Sequence, residues 1–261
     1  MTTEVLREGQ EDRTKAQTGS QSLENKVAVV TGASSGIGKA IARALRDEGA
    51  RVCLVGRTLE KLEGMARLAP KATCQPSAYR VDLTRDSDIH AMVKELQRSG
   101  EGVDILVHSA GEIHHAQHAE ASVADLDAQY RSNVRGPYLL TQDLLPLLRV
   151  SAGQVVFINS TSGLRARARA GQFAATQHAM KAIADSLREE VNSDGIRVLC
   201  VFPGRTATPR TKRLFHEEGK AYRPELLMQP DDVARMVVHA LKMPRTAEVT
   251  EIMIRPLFKS Y

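Results

Sequence analysis

A chain of 261 residues with 42% hydrophobic and 26% charged residues has the balance of a globular protein with a sizeable core, which excludes the disordered and fibrous classes. With 4% aromatics and no Trp, aliphatic side chains must build that core, and no apolar run approaches the roughly 18 residues that span a bilayer. The net charge of +5 is that of a mildly basic surface, and the polar N-terminus lacks the apolar core of a secretion signal.

Residues 1–24 are polar and charged and read as a flexible tail ahead of a single domain over 25–261. From Lys26 onward, apolar runs alternate with amphipathic stretches. Strands are predicted at 26–31, 51–56, 77–82, 103–111, 153–160, 196–204 and 249–256, each short, continuous and rich in Val and Ile. Helical periodicity fills 37–49, 58–68, 86–99, 122–149, 172–193 and 230–242. This alternation predicts a Rossmann-type, doubly wound α/β fold: a seven-stranded, mostly parallel sheet with helices on both faces. Of the three cysteines, Cys53 and Cys200 sit inside apolar runs and Cys74 does not. They lack the spacing of a disulfide framework or metal site, and buried thiols fit a reducing, cytoplasmic setting.

The first strand runs directly into Thr31-Gly32-Ala33-Ser34-Ser35-Gly36-Ile37-Gly38, and a helix follows. In that context Gly32 permits the tight turn, Gly36 lets the backbone approach a pyrophosphate, and Gly38 allows close helix packing. The amides and dipole of the helix N-terminus then favour the anion. A cofactor that is NAD would be met by a carboxylate at the end of the second strand, about 20 residues after the glycines. Here the strand ends Val55-Gly56-Arg57. Arg57 can instead hold a 2′-phosphate, so the expected cofactor is NADP(H). Lys39 could add charge, although a surface cation is the simpler reading.

These motifs make the chain resemble the short-chain dehydrogenase/reductase family over about residues 25–256. The resemblance implies that Asp82 and Leu83 contact the adenine, and that Asn133 takes part in a proton relay. It makes Ser160, three residues before Gly163, the catalytic Ser. It assigns Pro203-Gly204, with Thr206 and Thr208, to the nicotinamide amide. His108-Ser109-Ala110-Gly111 stands where the family has Asn-Asn-Ala-Gly, so Ala110 and Gly111 keep the cofactor-binding positions while both Asn are replaced. The family's proton donor is a Tyr with a Lys four residues later. In this chain those positions fall on Phe173 and Gln177, and no other Tyr has a Lys at that spacing. Phe has no proton to give, and Gln carries no charge to lower a phenol's pKa. Losing a positioned general acid costs about 10²–10⁴ in rate.

Other proton sources are available. The segment after the fourth strand carries Glu112, His114, His115 and His118, and a His titrates near neutral pH. A zinc site from His114 and His118 lacks a strong further ligand, so no metal is expected. Arg165, Arg167 and Arg169, and then Arg205, Arg210, Lys212 and Arg213, form two basic clusters. They would suit an anionic ligand, but solvated loops explain them more simply, and nucleic acid is not expected without an aromatic platform. The second cluster falls where the family has a mobile lid. The resemblance also implies a homodimer or homotetramer through the helices near 122–149 and 172–193, whose apolar stripes would equally suit packing on the sheet. The expected function is an NADP(H)-dependent oxidoreductase on a carbonyl/alcohol pair with atypical proton transfer. The alternatives are a non-catalytic NADP(H)-binding sensor or partner of an active paralogue, and a chain altered to disable it.

Overall fold

The computed structural model describes residues 21–67, 76–98, 100 and 102–258. The strands are β1 (Val27–Thr31), β2 (Arg51–Gly56), β3 (Ser77–Arg80), β4 (Ile105–His108), β5 (Gln154–Ile158), β6 (Arg197–Pro203) and β7 (Glu251–Ile254). They form one seven-stranded sheet in the order β3-β2-β1-β4-β5-β6-β7. Every pairing is parallel, so the expected parallel character extends to all seven strands. β2 coincides with its predicted run, and the other strands lie within theirs, shorter by up to three residues at an end.

The inner strands are buried except at some ends, and β1 and β4 are buried along their whole length. Alternate residues feed two separate core layers: Val27 and Val29 enter one, and Ala28 and Val30 enter the other. This is the period-two geometry of a strand covered on both faces. The edge strands β3 and β7 are partly exposed.

The helices are α1 (Gly36–Asp47), α2 (Leu59–Arg67), α3 (Asp86–Arg98), α4 (Val123–Tyr130), α5 (Gly136–Val150), α6 (Gly171–Val191), α7 (Pro209–Glu217) and α8 (Pro230–Leu241). The single helix expected over 122–149 is interrupted by a π-helical turn, Arg131–Arg135. Pro137 lies two residues beyond it and has no N–H to return to the Asn133 carbonyl, so the α-helical ladder must break there. Helix α7 was not predicted. It falls in the basic stretch where the resembled family has a mobile lid: Pro209 begins the helix and Thr208 caps it, its Oγ1 accepting from Thr211 N at 3.1 Å.

The expected flexible tail is corrected at its end: Leu23 is 2% exposed within the second core layer, and Gln21 N donates to Lys242 O at 2.8 Å. Residues 1–20 and Cys74 lie outside the described residues. Cys53 and Cys200 are buried, and burial pushes the Cys200 thiol up to about 12. No helix among the described residues is long and apolar enough to cross a membrane.

Candidate active site

Between β1 and β4 the strand order reverses direction, and the carboxyl ends of the strands open there into a cleft of about 850 Å³. Open α/β sheets form their ligand crevices at this point. Its lining includes all the residues singled out from sequence as cofactor-binding or catalytic.

The first wall is the glycine turn. Gly32 and Gly36 hold φ of +66° and +55°, which other L-residues avoid. A Cβ on Gly32 would lie 2.8 Å from Ala110 N, and one on Gly38 would lie 2.5 Å from the Gly32 carbonyl oxygen. The turn, the start of α1 and the exit of β4 are therefore packed backbone on backbone. Thr31 Oγ1 reinforces them by accepting from Ser109 N and Ala110 N at 3.0 and 3.2 Å. Ser35, the residue before α1, makes no side-chain cap, so Ser34, Ser35, Gly36, Ile37 and Gly38 present a helix N-terminus without a side-chain cap to the cleft.

At the end of β2, Arg57 enters the lining and pairs with Glu112 at 3.1 Å, with its side chain 69% exposed. Lys39 stays outside the cleft lining, while Lys61 from α2, which the sequence reading passed over, is part of it. Asp82 and Leu83 follow β3. Burial alone would raise the Asp82 pKa, but hydrogen bonds from Thr84 and the charges of Arg57 and Arg85 outweigh it and hold the carboxyl below its usual value.

Asn133 sits in the π-helical turn, and its side chain is fully engaged. Its Oδ1 accepts from Glu112 N at 2.6 Å, and its Nδ2 donates to Glu112 O at 2.8 Å and to Thr176 Oγ1 at 3.1 Å. The amide is a clamp on the segment after β4. Ser160 caps a short 3₁₀ turn by accepting from Ser162 N at 3.1 Å. Phe173 and Gln177 lie one turn apart on α6, both buried, and both line the cleft. Asn159, unmarked in sequence, braces the two segments. Its Oδ1 accepts from Ser160 N at 2.7 Å, and its Nδ2 donates to Gln177 O at 2.9 Å. On the far side Pro203, Gly204 and Thr206 complete the wall.

The histidines separate. His114 is exposed, 4.0 Å from Asp125, and His118 packs against Gly171. Of the three, His115 alone lines the cleft. Its ring centroid is 6.3 Å from that of Phe173, tilted by 59°, and its Nδ1 is 3.6 Å from Glu218 Oε1. Among the described residues, no group of three or more His, Cys, Asp or Glu side chains gathers in a way that could hold a metal.

In the second basic cluster Arg205, Arg210 and Arg213 make specific contacts although Arg210, Lys212 and Arg213 remain exposed, so the stretch is not simply a solvated loop. Arg205 pairs with Glu218 at 2.9 Å and stacks on Phe215, 4.6 Å from the ring centroid. Arg210 donates to Gly111 O at 2.6 Å, and Arg213 donates to Ile113 O at 3.2 Å. In the first cluster Arg165, Arg167 and Arg169 are exposed, with Arg167 and Arg169 on the cleft rim.

The sequence pattern of the short chain dehydrogenase family matches residues 26–219. An uncharacterized oxidoreductase of Staphylococcus aureus strain USA300 is 33% identical over 236 residues, covering 90% of this chain and 99% of that protein. An alcohol dehydrogenase from the archaeon Thermococcus sibiricus, solved with 5-hydroxy-NADP, superposes with a TM-score of 0.81 at 27% identity, covering 90% of this chain and 98% of the other. L-Sorbose reductase from Gluconobacter frateurii, solved with NADPH and L-sorbose, gives 0.81 at 28% identity, covering 91% and 97%.

Proposed function

The chain belongs to the short-chain dehydrogenase family, and from that premise we propose that it binds NADP(H) in the cleft and interconverts a small carbonyl compound and its alcohol. The observation that carries the cofactor is the cation-lined end of β2. Arg57 and Lys61 line the cleft there, and β2 itself ends without a carboxylate. The Arg57–Glu112 pair is exposed, so exchanging it for a doubly charged phosphate costs at most about 1 kcal/mol. Gly32 and Gly38 let the turn pack directly on the backbone of Ala110 and on itself, which brings the uncapped start of α1 to the cleft where a pyrophosphate would sit. The NADP and NADPH named with the structural relatives support the same assignment.

When bound, the dinucleotide supplies or accepts the hydride. The chain's own part is to orient the reactants and move a proton. Ser160, with its hydroxyl proton free to donate, would hold the carbonyl oxygen. Gln177 would hold ribose hydroxyls by hydrogen bonds. The side-chain amide of Asn133 holds the segment after β4 in place through Glu112, with both of its N–H groups engaged. Phe173 and Gln177 occupy the positions of the family's Tyr and Lys in this reading, so proton transfer must run through another group or be slow.

Phe173 favours a second reading, a non-catalytic NADP(H)-binding protein. One experiment tests both: NADPH and NADH affinity by fluorescence titration, with NADPH oxidation over a panel of ketones and aldehydes. NADPH should bind more tightly, and Arg57→Ala should weaken it about 10–100-fold, the loss of a charge-assisted phosphate contact. Equal affinity for NADH would overturn the cofactor assignment. Turnover by the double substitution F173Y/Q177K alone would favour the binding-protein reading.

We further propose a cytoplasmic homodimer or homotetramer of single-domain chains, the domain expected over 25–261 extended to Gln21 by the contacts of Gln21 and Leu23. Val123, Tyr130 and Tyr138 are half or more exposed on α4 and α5 and support helix-face assembly. The stripes Leu140 and Leu144 are spent in the core instead.

A further inference from the structure

We propose that His115 is the proton donor and acceptor of this site, oriented by Glu218, an inference that rests on the oxidoreductase reading above. Two imidazoles line the cleft among the described residues, His108 and His115. His108 is committed to Thr141, 2.8 Å away, and is stacked on Phe157. His115 is free of such ties. Its side chain is 20% exposed, and its Nε2 is buried with no hydrogen-bond partner among the described residues. It lies against Phe173, so it brings an ionisable nitrogen beside the ring that has none.

Everything around His115 fixes its position. Asn133 clamps Glu112 through both its backbone N–H and its C=O. Arg210 and Arg213 from α7 hold the carbonyls of Gly111 and Ile113. Gln129 Oε1 accepts from His114 N at 3.1 Å, and Ala116 N donates to Arg169 O at 2.9 Å. A loop anchored on both sides of one unpartnered imidazole is the arrangement of a positioned acid–base group.

Glu218 stands 3.6 Å from Nδ1, an ion-pair separation that a small rotation closes to a hydrogen bond on ligand binding. It is itself held by Arg205 and Lys220, each at 2.9 Å. Burial alone would raise the Glu218 pKa, but the hydrogen bonds and charges of Lys220 and Arg205 outweigh it and hold the carboxyl down at about 2. The carboxylate therefore stays ionised and draws the proton of a neutral His115 to Nδ1. The ring rotation that closes this contact must also turn the buried Nε2 toward the substrate, where it becomes the exchanging nitrogen. Burial lowers the His115 pKa, and Arg205 lowers it further. The carboxylates Glu218 and Glu217 oppose the shift without cancelling it.

In the reducing direction, the carbonyl carbon gains a hydride from the dihydronicotinamide and its π electrons move to oxygen. The oxygen takes the proton from Nε2 of protonated His115. The products are the alcohol, the oxidised nicotinamide and a neutral imidazole, which solvent reprotonates. The oxidising direction reverses each step. Reduction should therefore fall as pH rises through the depressed His115 pKa, and oxidation should rise with it.

The test compares the unaltered protein with His115→Gln, Glu218→Gln and F173Y/Q177K. It reads NADPH affinity by fluorescence, NADPH oxidation with the carbonyl panel against pH, and the His115 Cε1–H titration by NMR. His115→Gln should keep NADPH affinity within about threefold, lose about 100-fold or more in turnover, and lose the imidazole limb of the pH profile. Glu218→Gln should lower the pKa of His115 in the NMR titration, a shift that loss of packing alone would not produce. Turnover and pH profile unchanged in His115→Gln would overturn the proposal while leaving the oxidoreductase reading intact. So would turnover by F173Y/Q177K with none by the unaltered protein. Absence of NADPH binding would overturn both.

Discussion

A phenyl ring at position 173 and a carboxamide at 177 line the cleft beside two histidines, His108 and His115; burial lowers the pKa of both, and only at His115 do carboxylates oppose the shift. His108 shows how a hydroxyl fixes a tautomer. Thr141 Oγ1 donates its one proton to Pro137 O at 2.8 Å, so it accepts from His108 Nε2. Nδ1 is then a bare acceptor, buried and without a partner among the described residues. Protonating this ring would bury a charge, and burial drives its pKa down to about 3. Between the ordinary imidazole pKa near 6.5 and that value, the unfolded chain binds a proton that the folded chain refuses, so stability falls as pH falls. The loss from this residue between pH 7 and pH 5 should be about 2 kcal/mol. Denaturation midpoints at the two pH values should converge in His108→Asn; an unchanged difference would assign the effect elsewhere. Residue identity told the reader that Asn had become His at 108. The cost of that change depends on Thr141 and Phe157, which come from other elements.

At the scale of elements, the two departures from the predicted pattern both adjoin the cleft. The π-helical turn between α4 and α5 exposes one extra side chain per turn to the sheet's carboxyl edge, and Asn133 uses that position to hold Glu112. Replacing Asn133 by Ala leaves the part-buried N–H and C=O of Glu112 without their partner. It should cost about 2–4 kcal/mol and speed amide hydrogen exchange over residues 111–116. Exchange as slow as in the unaltered protein would mean that α7 alone secures the segment. Helix α7 is the other departure. Its apolar content is low, so periodicity gave no helical signal, and the basic residues read as solvated. Arg205 lies over Phe215 and Arg210 reaches Gly111 O, contacts between segments about 10 and 99 residues apart in the chain. Local pattern carries no trace of such partners.

Across the whole molecule, two core layers sandwich one parallel sheet, and the N-terminal segment belongs to the second layer. Leu23 is buried there at 2% exposure, so Leu23→Ala should cost about 2–5 kcal/mol, read as a fall in the thermal midpoint. An exchange confined to a solvated tail would leave the midpoint unchanged. Alternation of short Val- and Ile-rich runs with amphipathic stretches determined the sheet, its parallel sense and the glycine turn, because these follow from local periodicity and backbone conformation. Ser160, Asn133, Phe173 and Gln177 became candidates through the family resemblance, which the glycine turn and the later motifs carried. Only the tertiary structure decided that His115, rather than His114 or His118, enters the cleft. It also decided that Asn159 braces Ser160 to α6, that Lys61 rather than Lys39 joins Arg57, and that Arg210 and Arg213 reach the carbonyls of Gly111 and Ile113. Each of those outcomes is a contact between distant segments, fixed by the packing of layers rather than by any residue's own preference.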